Sequence, residues 1–441
     1  MKRLLRFSIF WIVIGFCVSV NAQVVLDFDE TYAQELLKPG TPAPDFQLNT
    51  PDGKTVKFSE FAKGKYVVID FWASWCPDCR KDLPEIIRLY NNYHNKLGVE
   101  FLGVSFDTDK EKWTDYIAKS GVPYPQVSEL KRMNQSDVAK AYGVRWIPSV
   151  YLIDPDGKVL VSTVLSYKIE KALYEISQGP DMVALDGFFD TISIDGSKGK
   201  LWAQLYKPYL EPGQRCDLVV LCHGLNCDHN FELMRRIGVS LQAKGIATLE
   251  FDFNGHGASE GKLVDMTIPN EIEDLEQVLA YAQDLRFVRN IALVGHSQGA
   301  VVAAMVAGKH PEDINAVVLL APSSSVRDDI ARGNLFGVEF NPLDPPDSLV
   351  LHNGIALGRR YLKTAFRLPI FETSGQYHGN ACVIQGNGDR LVPYTCGERF
   401  HQLWEHSEYY ELEYYDHNFT NCIYRPVEIT VDYLKRTLQP K

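Results

Sequence analysis

The chain has 441 residues, of which 45% are hydrophobic and 23% charged, and its formal net charge is −11. A single hydrophobic core usually stops growing near roughly 250 to 300 residues, so two domains are expected. The composition is typical of soluble globular proteins and indicates neither a disordered nor a membrane-spanning chain. Phosphate binding relies on clusters of Lys and Arg, and the sequence shows no such cluster, so nucleic acid is disfavoured as a partner.

The N-terminal residues predict a secretory signal peptide over residues 1–22. A basic start precedes an apolar run at residues 7–20, and cleavage is expected after Ala22. The alternative, a membrane anchor, needs about 20 apolar residues, more than this run offers. Lipid attachment at Cys17 is disfavoured because Phe16 stands where that motif has a small residue. We therefore expect an exported protein, periplasmic or extracellular, with no membrane span after cleavage.

Export changes how the cysteines are interpreted, because an oxidising compartment permits disulfides. Nine cysteines occur, and removal of the signal peptide leaves eight. Two of these are close together in the first half, at Cys76 and Cys79. The other six lie in the second half, and the sequence cannot choose among their pairings: Cys216, Cys222, Cys227, Cys382, Cys396 and Cys422.

The cysteine pair follows a predicted buried strand. The apolar stretch 65–72 leads to Cys76 and Cys79, and a helical pattern of apolar residues follows. At a helix N-terminus the helix dipole stabilises a thiolate, which suits Cys76 for attack, and Cys79 would resolve the mixed disulfide. Half of a zinc site is the alternative, but no second pair occurs at the usual spacing. We predict neither a metal nor a cofactor.

Further strands predicted at residues 99–105 and 149–154 alternate with helical patterns, which indicates an α/β domain over residues 40–178. From about residue 42 onward this region resembles the thioredoxin superfamily, in particular its exported thiol-disulfide oxidoreductases and peroxiredoxin-like proteins. The resemblance implies a buried acid at Asp70 that manages the proton of Cys79. It also implies a cis-proline at Pro148 that binds partner chains, and hence a protein thiol or disulfide partner.

Two alternatives to this redox hypothesis stay open. The domain could be a fold retained without redox duty, as an adaptor or spacer, although the intact pair, Asp70 and Pro148 argue against it. A peroxidase is the other, but the spacing of the two cysteines matches a thioredoxin-type pair better.

The domain junction is predicted after residue 178. Residues 154–157 (Asp-Pro-Asp-Gly) predict a hairpin turn, and a helix around residues 169–176 would close the first domain. A short linker is expected at residues 179–184, followed by a second domain at residues 185–441. Because the linker is short, the two domains should stay close together.

The second domain contains a Gly-x-Ser-x-Gly motif at residues 295–299. A predicted strand at 291–294 precedes it and an apolar helix follows, the order found at the nucleophile of α/β hydrolases. The glycines permit a tight turn that holds Ser297 in a strained, exposed position, where its Oγ can reach an acyl carbon. Ser297 is therefore the predicted nucleophile.

A nucleophilic serine needs a base and a carboxylate, which this fold supplies in the order Ser, Asp or Glu, His. Asp389 follows a predicted strand at residues 381–385, and His417 follows one at 409–414. They are the predicted acid and base. The backbone N–H groups of Gln298 and Leu225 are the predicted oxyanion donors, Leu225 because it follows the His-Gly step after a buried strand. His223 is interpreted as a structural hydrogen-bonding residue.

Residues 323–378 form a turn-rich insertion that we interpret as a lid over the active site. Together with residues 251–257 and 295–299, the region 185–438 resembles bacterial cinnamoyl or feruloyl esterases. The resemblance implies that Asp329 and Tyr361 of the lid hold a phenolic hydroxyl group. Phe336 stands where those enzymes have a glutamine, which puts the acid preference in question.

The predicted fold class is thus α/β, with an N-terminal thioredoxin-like fold and a C-terminal α/β-hydrolase fold carrying a lid. The predicted function is an exported serine carboxylic-ester hydrolase acting on small-molecule esters, in particular hydroxycinnamate esters of plant polysaccharide. One alternative is an aminopeptidase of the same fold. The other is a chain that is chiefly a thiol-disulfide oxidoreductase, with the hydrolase half as an accessory module that recruits substrates.

Overall fold

The computed structural model describes residues 28–178 and 187–438. The predicted signal peptide at residues 1–22 and the predicted linker at residues 179–184 lie outside the described residues. Each of the two described stretches builds its own β-sheet with helices packed against it.

The first sheet has seven strands in the order β2-β1-β5-β4-β3-β6-β7. The interior strand β3 is buried along its whole length, pairs in parallel with β4 and pairs antiparallel with β6. The strands are β1 (Gln47–Asn49), β2 (Thr55–Lys57), β3 (Val67–Trp72), β4 (Glu100–Ser105), β5 (Gln126–Ser128), β6 (Ser149–Ile153) and β7 (Val159–Thr163). The turn predicted at residues 154–157 joins β6 to β7.

Six α-helices accompany this sheet: α1 (Phe28–Tyr32), α2 (Phe58–Phe61), α3 (Pro77–Leu97), α4 (Lys110–Ser120), α5 (Asp137–Tyr142) and α6 (Ser166–Gln178). Pro77 occupies the first turn of helix α3. Backbone N–H groups in a first turn have no partner within the helix, so proline costs no hydrogen bond there. Helix α3 ends at Gly98, whose left-handed φ of 65° stops the helix. Residues before the predicted domain start at residue 40 also pack against the first domain. The carboxylate of Asp29 on α1 accepts hydrogen bonds from Thr163 and Lys168.

The second sheet has eight strands in the order β19-β18-β13-β12-β10-β11-β9-β8. Strands β10 to β13, β18 and β19 run parallel, and β9 and β8 add an antiparallel edge. Its strands are β8 (Gly187–Gly196), β9 (Gly199–Pro208), β10 (Cys216–Cys222), β11 (Ala247–Phe251), β12 (Val288–His296), β13 (Ala316–Leu320), β18 (Asn380–Gly386) and β19 (Ser407–Leu412). Two separate two-stranded sheets lie between β13 and β18 in sequence: β14 (Asn334–Leu335) with β15 (Val338–Glu339), and β16 (Ser348–Val350) with β17 (Ala356–Gly358). Strand β19 is two residues earlier than predicted.

Helices cover both faces of this sheet, as its continuous apolar strands require. Helices α7 and α14 pack on one face, and α8 and α9 on the other. The helices are α7 (Glu232–Gln242), α8 (Ile268–Asp284), α9 (Gln298–Lys309), α10 (Val326–Ala331), α11 (Arg359–Ala365), α12 (Ile370–Ser374), α13 (Thr395–Leu403) and α14 (Tyr424–Leu438). Within the two described stretches, no helix combines the length and the apolar character needed to cross a bilayer.

The insertion at residues 323–378 is folded. It comprises α10, the hairpins β14–β15 and β16–β17, and the helices α11 and α12. Its apolar side chains, among them Leu335, Leu362 and Ile370, belong to the same core as α8 and α9. Its function as a lid stays a prediction.

The two domains are in direct contact through α3 and α6 of the first and residues 413–428 of the second. The rings of Tyr174 and Tyr424 stack at 3.8 Å between centroids, and those of Tyr167 and Tyr415 lie 6.1 Å apart. Arg88 of α3 lies 3.5 Å from Glu428 of α14. The segment that carries His417 is therefore packed against the first domain.

Candidate active sites

The predicted cysteine pair lies at the carboxyl end of β3, where the chain turns into α3. Cys76 caps the helix, its sulfur accepts a hydrogen bond from the backbone N–H of Cys79 at 3.1 Å, and the two residues form a disulfide. Both side chains are almost fully buried. A thiol at Cys76 would lie at the positive end of the helix dipole, which favours the ionised form of the thiol.

The loop before β6 lies against this disulfide. The peptide bond between Ile147 and Pro148 is cis, and the carbonyl oxygen of Ile147 is 3.7 Å from the Cys76 sulfur. The structure thus brings Pro148 to the cysteine pair.

Asp70 lies on β3 with only 3% of its surface exposed. Burial, reinforced by the nearby charge of Asp82, raises the pKa of its carboxyl group to about 8. The hydroxyl of Tyr124 is 3.5 Å from its Oδ2. A carboxyl that titrates near neutral pH can accept or return a proton during thiol chemistry.

Asp82 is a candidate functional residue that the sequence did not reveal. Burial raises the pKa of its carboxyl group to about 7. Its Oδ1 accepts a hydrogen bond from Ser166 at 2.6 Å, whereas its Oδ2 has no partner within the described part of the chain. The available signal was its position three residues after Cys79, on the same face of the helix.

The serine motif forms the turn between β12 and α9. Ser297 has φ 55° and ψ −118°, a strained conformation for a residue with a side chain. The residues two positions before and after it must be glycine. A Cβ on Gly299 would lie 2.2 Å from the carbonyl oxygen of His223, and one on Gly295 would lie 2.5 Å from the carbonyl oxygen of Gly299.

The three predicted catalytic side chains meet at this turn. Ser297 Oγ is 2.8 Å from His417 Nε2, and His417 Nδ1 is 2.7 Å from Asp389 Oδ2. The other oxygen of Asp389 accepts hydrogen bonds from the backbone N–H groups of Leu391 and Val392 at 2.8 and 2.9 Å. This arrangement can remove a proton from the serine hydroxyl while the carboxylate holds the imidazole in one orientation.

His296 fixes the backbone of the histidine loop. Its Nε2 is 2.9 Å from the carbonyl oxygen of His417. Burial lowers the pKa of His296 to about 3, so the ring is neutral and donates this bond through Nε2–H. The loop itself contains two residues with left-handed φ, Tyr414 at 65° and Phe419 at 56°.

The predicted oxyanion donors flank Ser297. Gln298 is the first residue of α9, and its side chain is fixed by Glu271 Oε2 at 2.8 Å and the Tyr361 hydroxyl at 2.7 Å. The loop of Leu225 passes beside the serine, since a Cβ on Gly224 would lie 3.0 Å from Ser297 Cβ.

His223 has the structural function expected of it. Its Nδ1 is 2.9 Å from the carbonyl oxygen of Gly224, and its Nε2 accepts a hydrogen bond from the backbone N–H of Phe253 at 3.1 Å. Both ring nitrogens are engaged within the protein.

The structure places each of the three predicted lid residues against different partners. Tyr361 is 1% exposed and its hydroxyl donates to Gln298, not to an open pocket. Asp329 of α10 forms an ion pair with Arg332, the residue that follows this helix. Phe336 occupies the turn between β14 and β15 with φ 50° and packs against the core.

Five of the cysteines in the second domain are buried thiols: Cys216, Cys222, Cys382, Cys396 and Cys422. Burial raises the pKa of each, that of Cys422 to about 12, so they are poorly suited to attack. The described ranges also contain no group of three or more His, Cys, Asp or Glu side chains placed to hold a metal ion.

Each half of the chain matches a known protein family. Residues 39–162 match the AhpC/TSA family, and residues 213–340 match the family described as serine aminopeptidase, S33. The first half is similar to thiol-disulfide oxidoreductase ResA of Bacillus subtilis (strain 168), at 33% identity over 127 residues, 29% of this chain and 68% of that protein. ResA of Geobacillus thermodenitrificans (strain NG80-2) is 35% identical over 120 residues, covering 27% of this chain and 66% of the relative.

The second half is similar in structure to Est1E from Butyrivibrio proteoclasticus. A structure of Est1E with ferulic acid bound has a TM-score of 0.54 and 25% identity, and covers 56% of this chain and 99% of that chain. Another Est1E structure, at 24% identity and TM-score 0.52, shows the same fold.

Fold and comparisons together define a two-domain protein, thioredoxin-like followed by α/β-hydrolase, and the predicted fold class is confirmed. Through its first domain the chain belongs to the ResA family of thiol-disulfide oxidoreductases.

Replacing Asp70 with Asn should flatten the pH dependence of stability. The folded chain keeps this carboxyl protonated to about pH 8, whereas an unfolded Asp ionises near roughly pH 3.9. Between these values the unfolded state binds fewer protons, so the wild type loses stability as pH rises through this window. Asn has no charge to bury, so D70N should gain on the order of 1–3 kcal/mol over wild type between pH 4 and pH 8.

Denaturant unfolding of the disulfide form, followed at the first domain at pH 4, 6 and 8, measures this effect. Asp156→Asn, at an exposed turn position, is the matched control and should parallel wild type. Equal pH slopes for D70N and wild type would contradict a buried, protonated Asp70.

Proposed function

We propose that the second domain is a serine carboxylic-ester hydrolase with Ser297 as nucleophile, His417 as general base and Asp389 as the orienting carboxylate. The observation that carries this proposal is the continuous chain of contacts from Ser297 Oγ to His417 at 2.8 Å and from His417 to Asp389 at 2.7 Å. The strained turn that presents Ser297 supports it further.

The reaction begins when Ser297 Oγ attacks the ester carbonyl carbon and His417 Nε2 takes the hydroxyl proton. The tetrahedral oxyanion is received by the backbone N–H groups of Gln298 and Leu225. His417 then gives the proton to the leaving alcohol, which leaves an acyl group on Ser297. Water, activated by the same imidazole, releases the acid, while Asp389 stays ionised and holds Nδ1–H.

The substrates we propose are hydroxycinnamate esters, such as those of plant polysaccharide. The support is the structural similarity to Est1E, whose described complex contains ferulic acid. An aminopeptidase is the second candidate, favoured by the match of residues 213–340 to the serine aminopeptidase, S33, family. Both use the same residues, since acyl transfer from amides and from esters needs the same nucleophile and base.

For the first domain we propose thiol-disulfide exchange at Cys76 and Cys79 with a protein thiol or disulfide partner. The support is its membership of the ResA family, together with the disulfide beside Pro148 and the buried carboxyl of Asp70. We further propose that the mature chain acts outside the cytoplasm, on the basis of the signal-peptide pattern at residues 1–22.

The two activities should be separable by single substitutions. Ser297→Ala removes the nucleophile and should lower kcat on p-nitrophenyl acetate and methyl ferulate by at least about 10⁴-fold, with insulin reduction unchanged. Cys76→Ser should abolish insulin reduction and leave ester turnover intact. Rates on amino-acid anilides are measured in parallel. Cleavage of the anilides with methyl ferulate inert would replace the esterase by the aminopeptidase.

The Tyr361→Phe variant distinguishes two functions of the Tyr361 hydroxyl, which are fixing the side chain of Gln298 and binding the substrate. Because Tyr361 donates to Gln298, its loss should lower kcat by about 2- to 10-fold, the value of one neutral hydrogen bond. The loss should be equal on methyl ferulate and on methyl cinnamate, which lacks the phenolic hydroxyl. Tyr377→Phe, another buried tyrosine that bonds to backbone carbonyls, is the control. A rise in KM confined to methyl ferulate would instead assign Tyr361 to substrate binding.

A further inference from the structure

A cleft of about 420 Å³ lies between the two domains. One wall comes from the first domain, with Phe28, Tyr32 and Trp146, and the other from residues 410–415 of the hydrolase domain. Ligand clefts in proteins have volumes of roughly 300 to 1,000 Å³, so this one can accept several side chains of an extended segment. It is separate from the site at Ser297, since the catalytic serine and histidine do not line it.

The cleft borders the residues around the redox disulfide. Asp78, which stands between the two cysteines in sequence, lines it, and so do Trp146 and Pro148 on either side of Ile147. The carbonyl oxygen of Ile147 is 3.7 Å from the Cys76 sulfur. A segment bound in the cleft therefore lies beside residues that flank Cys76, although neither cysteine itself lines the cleft.

The charge of the cleft is negative. Five acidic residues line it against two basic ones: Asp78, Asp82, Glu85, Glu411 and Glu413 against Lys81 and Arg425. Both basic groups are already paired, Lys81 with Glu413 and Arg425 with Glu428. Glu85 is paired with Arg88. Asp78 and Glu411 have no ion-pair partner in the described part of the chain. Asp82 has none there either, but burial raises the pKa of its carboxyl group to about 7, so at neutral pH it carries only part of a negative charge.

Aromatic rings supply most of the remaining lining. The rings of Tyr32 and Trp146 stack at 4.2 Å, and Phe28 meets the edge of Tyr414 at 5.5 Å across the domain boundary. Carboxylates combined with aromatic faces complement Lys and Arg, through ion pairs and through the attraction of a cation to a ring.

We propose that this cleft binds an extended, basic peptide segment containing two cysteines, and that the hydrolase domain thereby selects the redox partner of the first domain. The proposal rests on the thiol-disulfide exchange proposed above. Because the second wall belongs to the hydrolase domain, the fused domain changes which partners reach Cys76.

The exchange is balanced without a further reactant. A cysteine thiolate of the bound segment attacks Cys76 Sγ, and the bond between Cys76 and Cys79 breaks with its electron pair on Cys79 Sγ. The second cysteine thiolate of the segment attacks the segment's own sulfur in the mixed disulfide and releases Cys76 as a thiolate. The segment leaves oxidised to a disulfide, and the two protons that it lost return to Cys76 and Cys79.

The test uses the full chain in its disulfide form and two synthetic Cys-x-x-Cys peptides of equal length, one flanked by Lys and one by Glu. Acid quench, alkylation and mass spectrometry give the rate at which Cys76 and Cys79 become reduced. Each rate is divided by that of the same peptide with hydroxyethyl disulfide, which removes differences in intrinsic thiol reactivity. The Lys peptide should react about 10-fold faster or more at low salt, and this advantage should shrink in about 0.5 M NaCl.

Glu411→Gln examines the contribution of the hydrolase wall. It should lower the Lys-peptide advantage by about two- to threefold, with the reduction by dithiothreitol unchanged. Glu405→Gln, an exposed position on the same domain outside the cleft, is the matched control and should retain the full advantage.

Equal normalised rates for the two peptides, or equal behaviour of Glu411→Gln and Glu405→Gln, would overturn the cleft proposal while dithiothreitol still reduces the pair. If neither peptide nor dithiothreitol exchanges with Cys76 and Cys79, the redox function and the cleft proposal both fall.

Discussion

The turn between β12 and α9 is the constraint on which the hydrolase domain depends. Ser297 is held at φ 55° and ψ −118° because the loop after β10 presses against Gly299 and leaves no room for a Cβ there. A strained residue persists only where its surroundings over-determine it. Here those surroundings are the parallel strands β10, β12 and β13, whose carboxyl ends converge on the serine. The same strands therefore position the loop of Leu225, the start of α9 and, through β18, Asp389.

The segment at residues 413–424 links this arrangement to the first domain. On one side it carries His417, fixed by His296 at 2.9 Å, and on the other side Tyr415 and Tyr424 meet Tyr167 and Tyr174 of the first domain. The cysteine pair and His417 thus lie on opposite sides of one packed interface. The two candidate sites therefore share one packed domain interface.

Much of the fold and of both sites could be predicted, because the signals were local. The strand, turn and helix around Cys76 and around Ser297 are contiguous in sequence, and Asp389 and His417 each follow a strand in a fixed order. What could not be predicted depends on packing between distant segments. Asp82 acquires its raised pKa only through burial, Tyr361 meets Gln298 across 63 residues, and the cleft between the domains exists only once both have folded. The strand before His417 begins and ends two residues before its predicted bounds, since Tyr and Glu recur on both sides of its end and mark no sharp boundary.

The most direct test of the account is to label the purified chain with a fluorophosphonate, which forms a stable adduct with an activated serine, and to locate the adduct by mass spectrometry of peptides. If Ser297 is the nucleophile and His417 its base, a single adduct forms on Ser297 in step with the loss of ester turnover, and no adduct forms when His417 is replaced by Ala. An adduct on a different residue, or full ester turnover after Ser297 has been modified, would contradict it.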